Sequence, residues 1–213
     1  MSPNSSDRYF NNALLWDKYD PKRIVLDLVN PGMTVLDVGS SYGSFSEKLK
    51  DKGCVCDGVE ANREAAQYSK QHHRNVYEID LNNHGGFRQI QETYDCITIL
   101  DVLEHVIDPE DVLKKLNSKI KPGGLIYISV PNIVNIVERV NISLGRFNYR
   151  EYGVLDRTHL RFFTRRTALS MVRGVFPDAK VVAVTPRIPQ FKYLVNVIPT
   201  LFAMQFVIEA RNS

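Results

Sequence analysis

The stretch Thr34-Val-Leu-Asp-Val-Gly-Ser-Ser-Tyr-Gly-Ser-Phe45 constrains the fold more than any other part of this chain. Val35, Leu36 and Val38 flank a single carboxylate, Asp37, in a run that reads as a short buried strand. Gly39 and Gly43 bracket a loop of small residues, and Phe45 and Leu49 then open an apolar stripe at i, i+4 spacing, the mark of a helix. A strand that ends in a glycine turn and feeds a helix is the unit from which doubly wound sheets build a nucleotide pocket. Glycine lets the backbone approach a ligand, and the helix start offers N–H groups to an anion.

The remainder of the chain repeats this unit. Asp20 caps a helix opened by Pro21, which stops near Asn30-Pro31-Gly32. A second strand is predicted over Cys54–Glu60, followed by a helix from Asn62 to His72. A third strand covers Val76–Ile79 and a fourth Tyr94–Leu100. Asp108-Pro-Glu-Asp111 starts the next helix, with Val112, Leu113, Leu116 and Ile120 on its apolar stripe. Lys121-Pro-Gly-Gly124 is the turn into a fifth strand, Leu125–Val130. Strands alternating with helices at this spacing specify βαβ units and a mostly parallel sheet.

Beyond Pro131 the pattern loosens. Ile133, Ile136, Val137, Val140 and Leu144 are spaced as one amphipathic helix. A polar, aromatic segment leads to Thr164, which caps a helix ending at Gly174. Val181–Val184 and Ala203–Ala210 read as a closing antiparallel pair. The expectation is therefore one α/β domain over residues 1–213, with a doubly wound, seven-stranded, mostly parallel sheet. Residues 1–30 form a flap or helix at its start, 131–164 a cap over the substrate, and 186–202 an apolar insertion. The aromatics of the first segment either cover the glycine-loop pocket or pack on the sheet edge. The stripe at 133–144 and the run Phe191–Phe202 are expected to pack into cap or core, with a lipid or partner contact as the alternative for the latter.

Composition removes several classes of function. A net charge of +3 without a Lys/Arg stripe lacks the electrostatic footprint of a nucleic-acid binder. Three cysteines, Cys54, Cys56 and Cys96, without a CxxC pair argue against a disulfide framework or a zinc site, and they read as small buried apolar residues. No signal-peptide core and no run of ~18 apolar residues is present, so a cytoplasmic chain without a membrane span is expected.

In an open parallel sheet, ligands bind at the carboxyl ends of the strands. Here three strands end in acids: Glu60, Asp80 and Asp101. Glu60 follows Gly39 by 21 residues, where a carboxylate accepts both ribose hydroxyls of a nucleoside. Nicotinamide and adenosylmethionine enzymes share that feature; the loop separates them. A dinucleotide loop needs glycine at its first, third and sixth positions, and this chain has Gly39, Ser41 and Ser44 there. A nucleoside triphosphate loop of the GxxxxGK[ST] type is absent as well.

These motifs together resemble those of class I S-adenosylmethionine-dependent methyltransferases. Val35–Gly43 looks like the first motif, Gly58-Val-Glu60 like the ribose-binding acidic motif and Glu78-Ile-Asp-Leu81 like the adenine-contacting one. Tyr94–Val106 resembles the fourth-strand motif, and Lys121-Pro-Gly-Gly124 the turn before strand five. The resemblance spans roughly residues 20–185 and departs from the usual GxGxG loop at Ser41. It implies S-adenosylmethionine as cofactor, with Gly39, Ser40, Ser41, Tyr42 and Gly43 under its methionine part and Glu60, beside Ala61, on the ribose. It gives Asp80 the adenine amino group, with capping of Asn82-Asn83 as the alternative, and packs Leu81 on the ring. Asp37 orders the loop or contacts the amino group, and Asp101 and Val102 line the wall near the sulfonium.

Asp101-Val-Leu-Glu-His105 is common across small-molecule members of the family; the resemblance narrows to the ubiquinone-methyltransferase-like and methionine-biosynthesis-protein-like group through Tyr149–Thr164. Methyl transfer is an in-line displacement, so positioning carries much of the rate, and a hydroxyl acceptor gains from a base. The candidate catalytic residues are His159, Asp156 and His105, with Glu104 beside them. His159 is either a base oriented by Asp156 or a structural residue pinning the cap loop. A similar acidic–His cluster is linked to a metal in the ubiquinone O-methyltransferases; for Asp101, Glu104 and His105 the expectation is no metal and a supporting role for His105. Arg157 and Arg161 either bind an anionic substrate group or pair with nearby acids. The function implied is transfer of a methyl group to a small molecule, to oxygen before nitrogen or carbon, on a sugar-containing or quinone-like acceptor. A nicotinamide-dependent oxidoreductase and a non-catalytic cofactor-binding module are the alternatives.

Overall fold

β1 (Thr34–Val38) lies in the middle of a seven-stranded sheet with β2 (Val55–Glu60) and β3 (Val76–Glu78) on one side. On the other side follow β4 (Tyr94–Leu100), β5 (Ile120–Pro131), β7 (Ala203–Arg211) and, at the edge, β6 (Lys180–Pro186). The computed structural model describes residues 17–83, 85–186 and 193–212. β1 to β5 pair in parallel, and β7 runs antiparallel to both β5 and β6. This is the doubly wound, mostly parallel architecture expected, with strand order reversing beside β1, where such sheets open a crevice.

Side-chain alternation along the strands divides the core in two. Leu36, Val38, Ile97, Ile99, Ile126, Ile128 and Ile208 face a layer built from α4 (Pro109–Asn117) and α6 (Arg165–Arg173). Val35, Cys56, Cys96, Tyr127 and Val207 face α1 (Pro21–Leu28) and α2 (Ser44–Asp51), through Val25, Leu26, Phe45 and Leu49. All three cysteines are free and buried, as their apolar reading requires. The helices start where the sequence punctuates them. Asp20, Asn62 and Asp108 each accept a backbone N–H at the N-cap of α1, α3 (Arg63–Ser69) and α4, and Thr164 with Thr167 forms a capping box on α6.

Several boundaries move. β2 starts at Val55, β3 ends at Glu78, and α3 stops at Ser69 rather than His72. β5 begins at Ile120, because Tyr94 already pairs with Ile120 and the Lys121–Gly124 segment is absorbed as a register shift instead of a separate turn. Gly174 closes α6 at φ −61°, without the left-handed conformation a terminal glycine usually supplies.

The larger correction concerns the 133–144 stripe. Within α5 (Ile136–Ser143) the buried residue is Glu138, while Val140, Ile142 and Leu144 just beyond are exposed. Glu138 pairs with Arg150, and the buried Asn135 caps the helix, so polar contacts dock α5 while Ile136 and Val137 are half-buried and the later apolar residues face outward. Of the 186–202 segment, the described part forms two short helices, α7 (Leu194–Val197) and α8 (Pro199–Phe202), with Val195 buried. The aromatic run before Asp17 and residues 187–192 lie outside the described residues.

Candidate active site

The loop after β1 is held in a shape few side chains tolerate. Gly39, Ser41 and Gly43 are all left-handed, at φ 75°, 49° and 82°. Ser41 therefore adopts the conformation for which glycine is the usual choice, at a cost of about 1 kcal/mol. Gly39 is needed for a second reason: a Cβ there would meet Val102 Cγ2 at 2.3 Å, so the end of β4 packs directly on the loop. The loop amides are spent inside the fold. Gly39 N and Ser40 N donate to Val59 O, Gly43 N to Ser40 O, and Ser41 N to Glu60 Oε2 at 2.8 Å. A backbone so engaged is a poor cradle for a pyrophosphate, in keeping with the missing glycines of a dinucleotide loop.

Asp37 lies under this loop rather than in the pocket. It is 4% exposed and accepts from Ser46 Oγ of α2 and Thr98 Oγ1 of β4, both at 2.9 Å. Of its two expected roles, ordering the loop is the one this geometry supports. Ser40 is also buried, and its hydroxyl faces Gly58, whose missing side chain leaves room for Ser40 Oγ and His73.

Two adjoining lobes open at the carboxyl ends of β1, β2 and β4. One, of about 370 Å³, is lined by Tyr42, Asn62, Glu64, Asp101 and Thr158 among others. The other, of about 230 Å³, is bounded by Ala61, Ile79, Asp80, Leu81, Asn82 and Val106. Gly39, Glu60, Val102 and His105 wall both lobes. Glu60 thus stands at their junction. Its Oε2 takes Ser41 N and its Oε1 takes Asn62 N at 2.7 Å, leaving acceptor capacity on both oxygens. Asp80 Oδ1 accepts from Asn82 N at 2.9 Å and also borders the second lobe, so its capping and lining positions coexist. A polar lobe, an acid with two acceptor oxygens and an apolar slot edged by a carboxylate suit, in order, an amino-acid tail, a ribose and an adenine. The residues present fit S-adenosylmethionine.

Asp101 closes the first lobe. It has φ 55°, a second left-handed non-glycine residue, and its Oδ1 accepts from Ser129 Oγ at 2.7 Å and Gln205 Nε2 at 2.8 Å. Burial raises its carboxyl above the usual range, against the pull of the Ser129 bond. Ser129 stands in the Ser129–Asn132 turn, one of the strand ends where sequence reasoning places ligands; of these two neighbours only Gln205 was missed. Gln205 arrives on the antiparallel β7 and has no local signal.

The acceptor side is arranged differently from the sequence expectation. His159 Nδ1 is held by Val154 O at 3.0 Å, not by Asp156. Asp156 Oδ1 instead accepts Thr158 N at 2.8 Å and Thr158 Oγ1 at 2.7 Å. Three residues of spacing do not bring the carboxylate to the ring, because a tight turn closes first, with His159 N donating to Asp156 O. His159 Nε2 lies 4.0 Å from Glu104 Oε1, and its ring packs edge-on against His105 with centroids 4.8 Å apart. Burial lowers the His159 pKa, and His105 adds to this. Burial also pushes the Glu104 carboxyl well above its ordinary range, with Asp101 and then Asp156 contributing. The Glu104 carbonyl accepts Leu160 N and Arg161 N, which fastens the segment before α6 to the turn after β4. Donor atoms of Glu104, His105 and His159 lie within 4.8 Å of one another, close enough for one divalent cation, whereas Asp101 is engaged elsewhere. Arg157 pairs with Glu151, and Arg161 donates to Ile107 O, so both arginines serve the loop itself.

Known proteins agree with this fold. A methyltransferase-domain family model matches residues 15–174. A ubiquinone biosynthesis O-methyltransferase of Shewanella sp. (strain ANA-3) is 26% identical over 176 residues, covering 76% of this chain and 72% of the relative. The mitochondrial ubiquinone biosynthesis O-methyltransferase of Schizosaccharomyces pombe is 27% identical, with 76% and 67% covered. Among solved structures, a SAM-dependent methyltransferase from Archaeoglobus fulgidus superposes with a TM-score of 0.65 at 20% identity, over 89% of this chain and 94% of that one. Magnesium protoporphyrin IX methyltransferase of Synechocystis PCC 6803, solved with bound SAH, gives 0.58 at 17%, over 91% and 80%. These relatives lend no support to the nicotinamide alternative. The chain belongs to the methyltransferase-domain family and is a class I S-adenosylmethionine-dependent methyltransferase.

Proposed function

We propose that the chain methylates an oxygen of a small, quinone-like hydroxylated acceptor, with His105 as the base. The observation that carries this is the position of His105, which walls both lobes beside Val102 and Asp101. An imidazole there stands where an acceptor approaches the methyl group. S-adenosylmethionine supplies a methyl carbon on a positively charged sulfur. An acceptor oxygen would use its lone pair to bond that carbon, the C–S bonding pair staying with the departing sulfur. His105 takes the hydroxyl proton, Asp101 and Val102 fix the approach, and the loop over Glu104 excludes water. The names of the Shewanella and Schizosaccharomyces relatives favour a quinone-like acceptor over a sugar. The deciding experiment measures S-adenosylhomocysteine release with catechol-, quinol- and sugar-type acceptors. Turnover is expected with the first two, falling roughly 10²-fold or more in His105→Ala. Methylation of amines alone sinks the reading.

We propose also that the face formed by α6 and α7 makes a weak contact with anionic lipid. Arg165, Arg166 and Arg173 line a groove of about 650 Å³. Tyr193, Leu194, Val197 and Ile198, in an uncharged stretch whose Thr200 borders that groove, are exposed. Basic side chains beside exposed apolar ones suit a negatively charged interface.

A further inference from the structure

Resting on His105 as the base, we infer that Thr158 and Asp156 are positioning residues that lock His105 into the one neutral tautomer able to accept a proton at Nε2. The inference follows from counting protons along a short chain of hydrogen bonds. Asp156 Oδ1 accepts the Thr158 hydroxyl at 2.7 Å and the Thr158 backbone N–H at 2.8 Å. Burial alone raises the Asp156 carboxyl, but these two bonds outweigh it and leave the group below its usual range, as a stable anion. A threonine hydroxyl has one proton, and Asp156 holds it. Towards any other neighbour Thr158 Oγ1 is therefore an acceptor.

That neighbour is His105. Its Nδ1 lies 3.1 Å from Thr158 Oγ1 and 3.2 Å from Thr158 O. A carbonyl accepts only, and the hydroxyl oxygen has been reduced to an acceptor, so both partners of Nδ1 demand a proton on it. In the neutral ring, a proton on Nδ1 leaves the lone pair on Nε2. The same logic orients the second histidine, since Val154 O at 3.0 Å calls for a proton on His159 Nδ1. His105 is thus set as a base by its loop, whereas the carboxylate that looked from the sequence like the partner of His159 acts on His105 through an intervening hydroxyl. Thr158 also lines the first lobe, which puts the relay at the wall of the pocket and within reach of changes there.

The tautomer is read directly by long-range ¹H–¹⁵N correlation on the full chain labelled with ¹⁵N-histidine, at a pH where the ring is neutral, with His105→Gln assigning the signal. No acceptor is needed, so the outcome stands apart from the identity of the substrate. The wild type is expected to show His105 as the Nδ1–H form. In Thr158→Val the ratio of Nδ1–H to Nε2–H should fall about tenfold, one hydrogen bond's worth, and Thr158→Ser should restore it. In Asp156→Ala the freed hydroxyl proton competes for Nδ1, and the ratio should fall in the same direction. With a turning-over acceptor, Thr158→Val should lower kcat, and Thr158→Ser should recover it. An Nε2–H form in the wild type overturns the inference, as does an unchanged ratio in Thr158→Val. Should Thr158→Val fail to fold, the wild-type spectrum and Asp156→Ala decide it. If the tautomer behaves as stated but His105→Ala turns over normally, the relay stands and the base assignment falls.

Discussion

The backbone N–H of Ser41 donates to Glu60 Oε2 at 2.8 Å, which joins the loop after β1 to the end of β2 as one unit. Glu60→Ala removes both this tether and the acceptor at the junction of the lobes. Calorimetric titration is expected to show adenosylmethionine binding weakened by roughly 30- to 100-fold, about 2–3 kcal/mol. Glu60→Gln keeps a carbonyl acceptor and should lose less. Unchanged affinity in Glu60→Ala would remove the ribose assignment.

Gly39 and Ser41 should both favour the smaller side chain. Gly39→Ala combines φ 75° with a contact at 2.3 Å to Val102, and should cost about 2–4 kcal/mol in denaturant unfolding. Ser41→Gly relieves a left-handed serine at φ 49° and should stay within ~1 kcal/mol of the parent, on the stabilising side. A loss of stability in Ser41→Gly would contradict the strain assigned there.

Glu104 makes stability depend on pH. Burial, then Asp101 and Asp156, raise its carboxyl above the unfolded value of about 4.3. A raised group gives its full contribution below that unfolded value and loses it as pH rises through the folded one. Glu104→Gln stays neutral throughout, so it should melt above the wild type at pH 7–8, by about 2–4 °C for each kcal/mol recovered, and converge with it near pH 4. A constant gap across that range would show that the carboxyl is not raised in the fold.

Transfer is expected to proceed without a metal. Burial drives Glu104 towards its neutral form, and a cation must deprotonate a ligand before binding it. The departing sulfur leaves uncharged and asks for no Lewis acid. Initial rates should be the same before and after EDTA treatment. Activity lost to the chelator and restored by Mg²⁺ or Zn²⁺ would place an ion among Glu104, His105 and His159.

The arginine groove predicts a salt-sensitive association with vesicles containing phosphatidylglycerol, but not with pure phosphatidylcholine. Arg166→Glu and Val197→Asp should each reduce co-sedimentation severalfold without altering adenosylmethionine affinity. Equal binding to both vesicle types, or to neither, rules the contact out.

How far the sequence could be read depended on the range of each interaction. The strand–turn–helix unit at Thr34–Phe45 and the acids at strand ends were legible because apolar alternation, turn glycines and capping residues act within a few positions. The true partner of Asp156 was not: spacing suggests His159, but the turn closes first and the carboxylate takes Thr158 instead. Thr158 stood unnoticed between two residues that drew attention for their charge. The outward face of α5 escaped because periodicity shows that one face is apolar, not which face docks; the pair of buried Glu138 with exposed Arg150 settles that and spans 12 residues. Gln205, 104 residues from Asp101, lay beyond any local signal.

That last distance has a temporal side. The glycine loop, Glu60 and the slot around Leu81 all come from the first half of the chain and can assemble while synthesis continues. Asp101 cannot be set in its left-handed conformation with both donors until β7 has emerged and threaded between β5 and the edge strand. The Asp101 side of the first lobe therefore takes its order from a strand made long after the one that carries Glu60, so that side is set later in synthesis than the residues it faces.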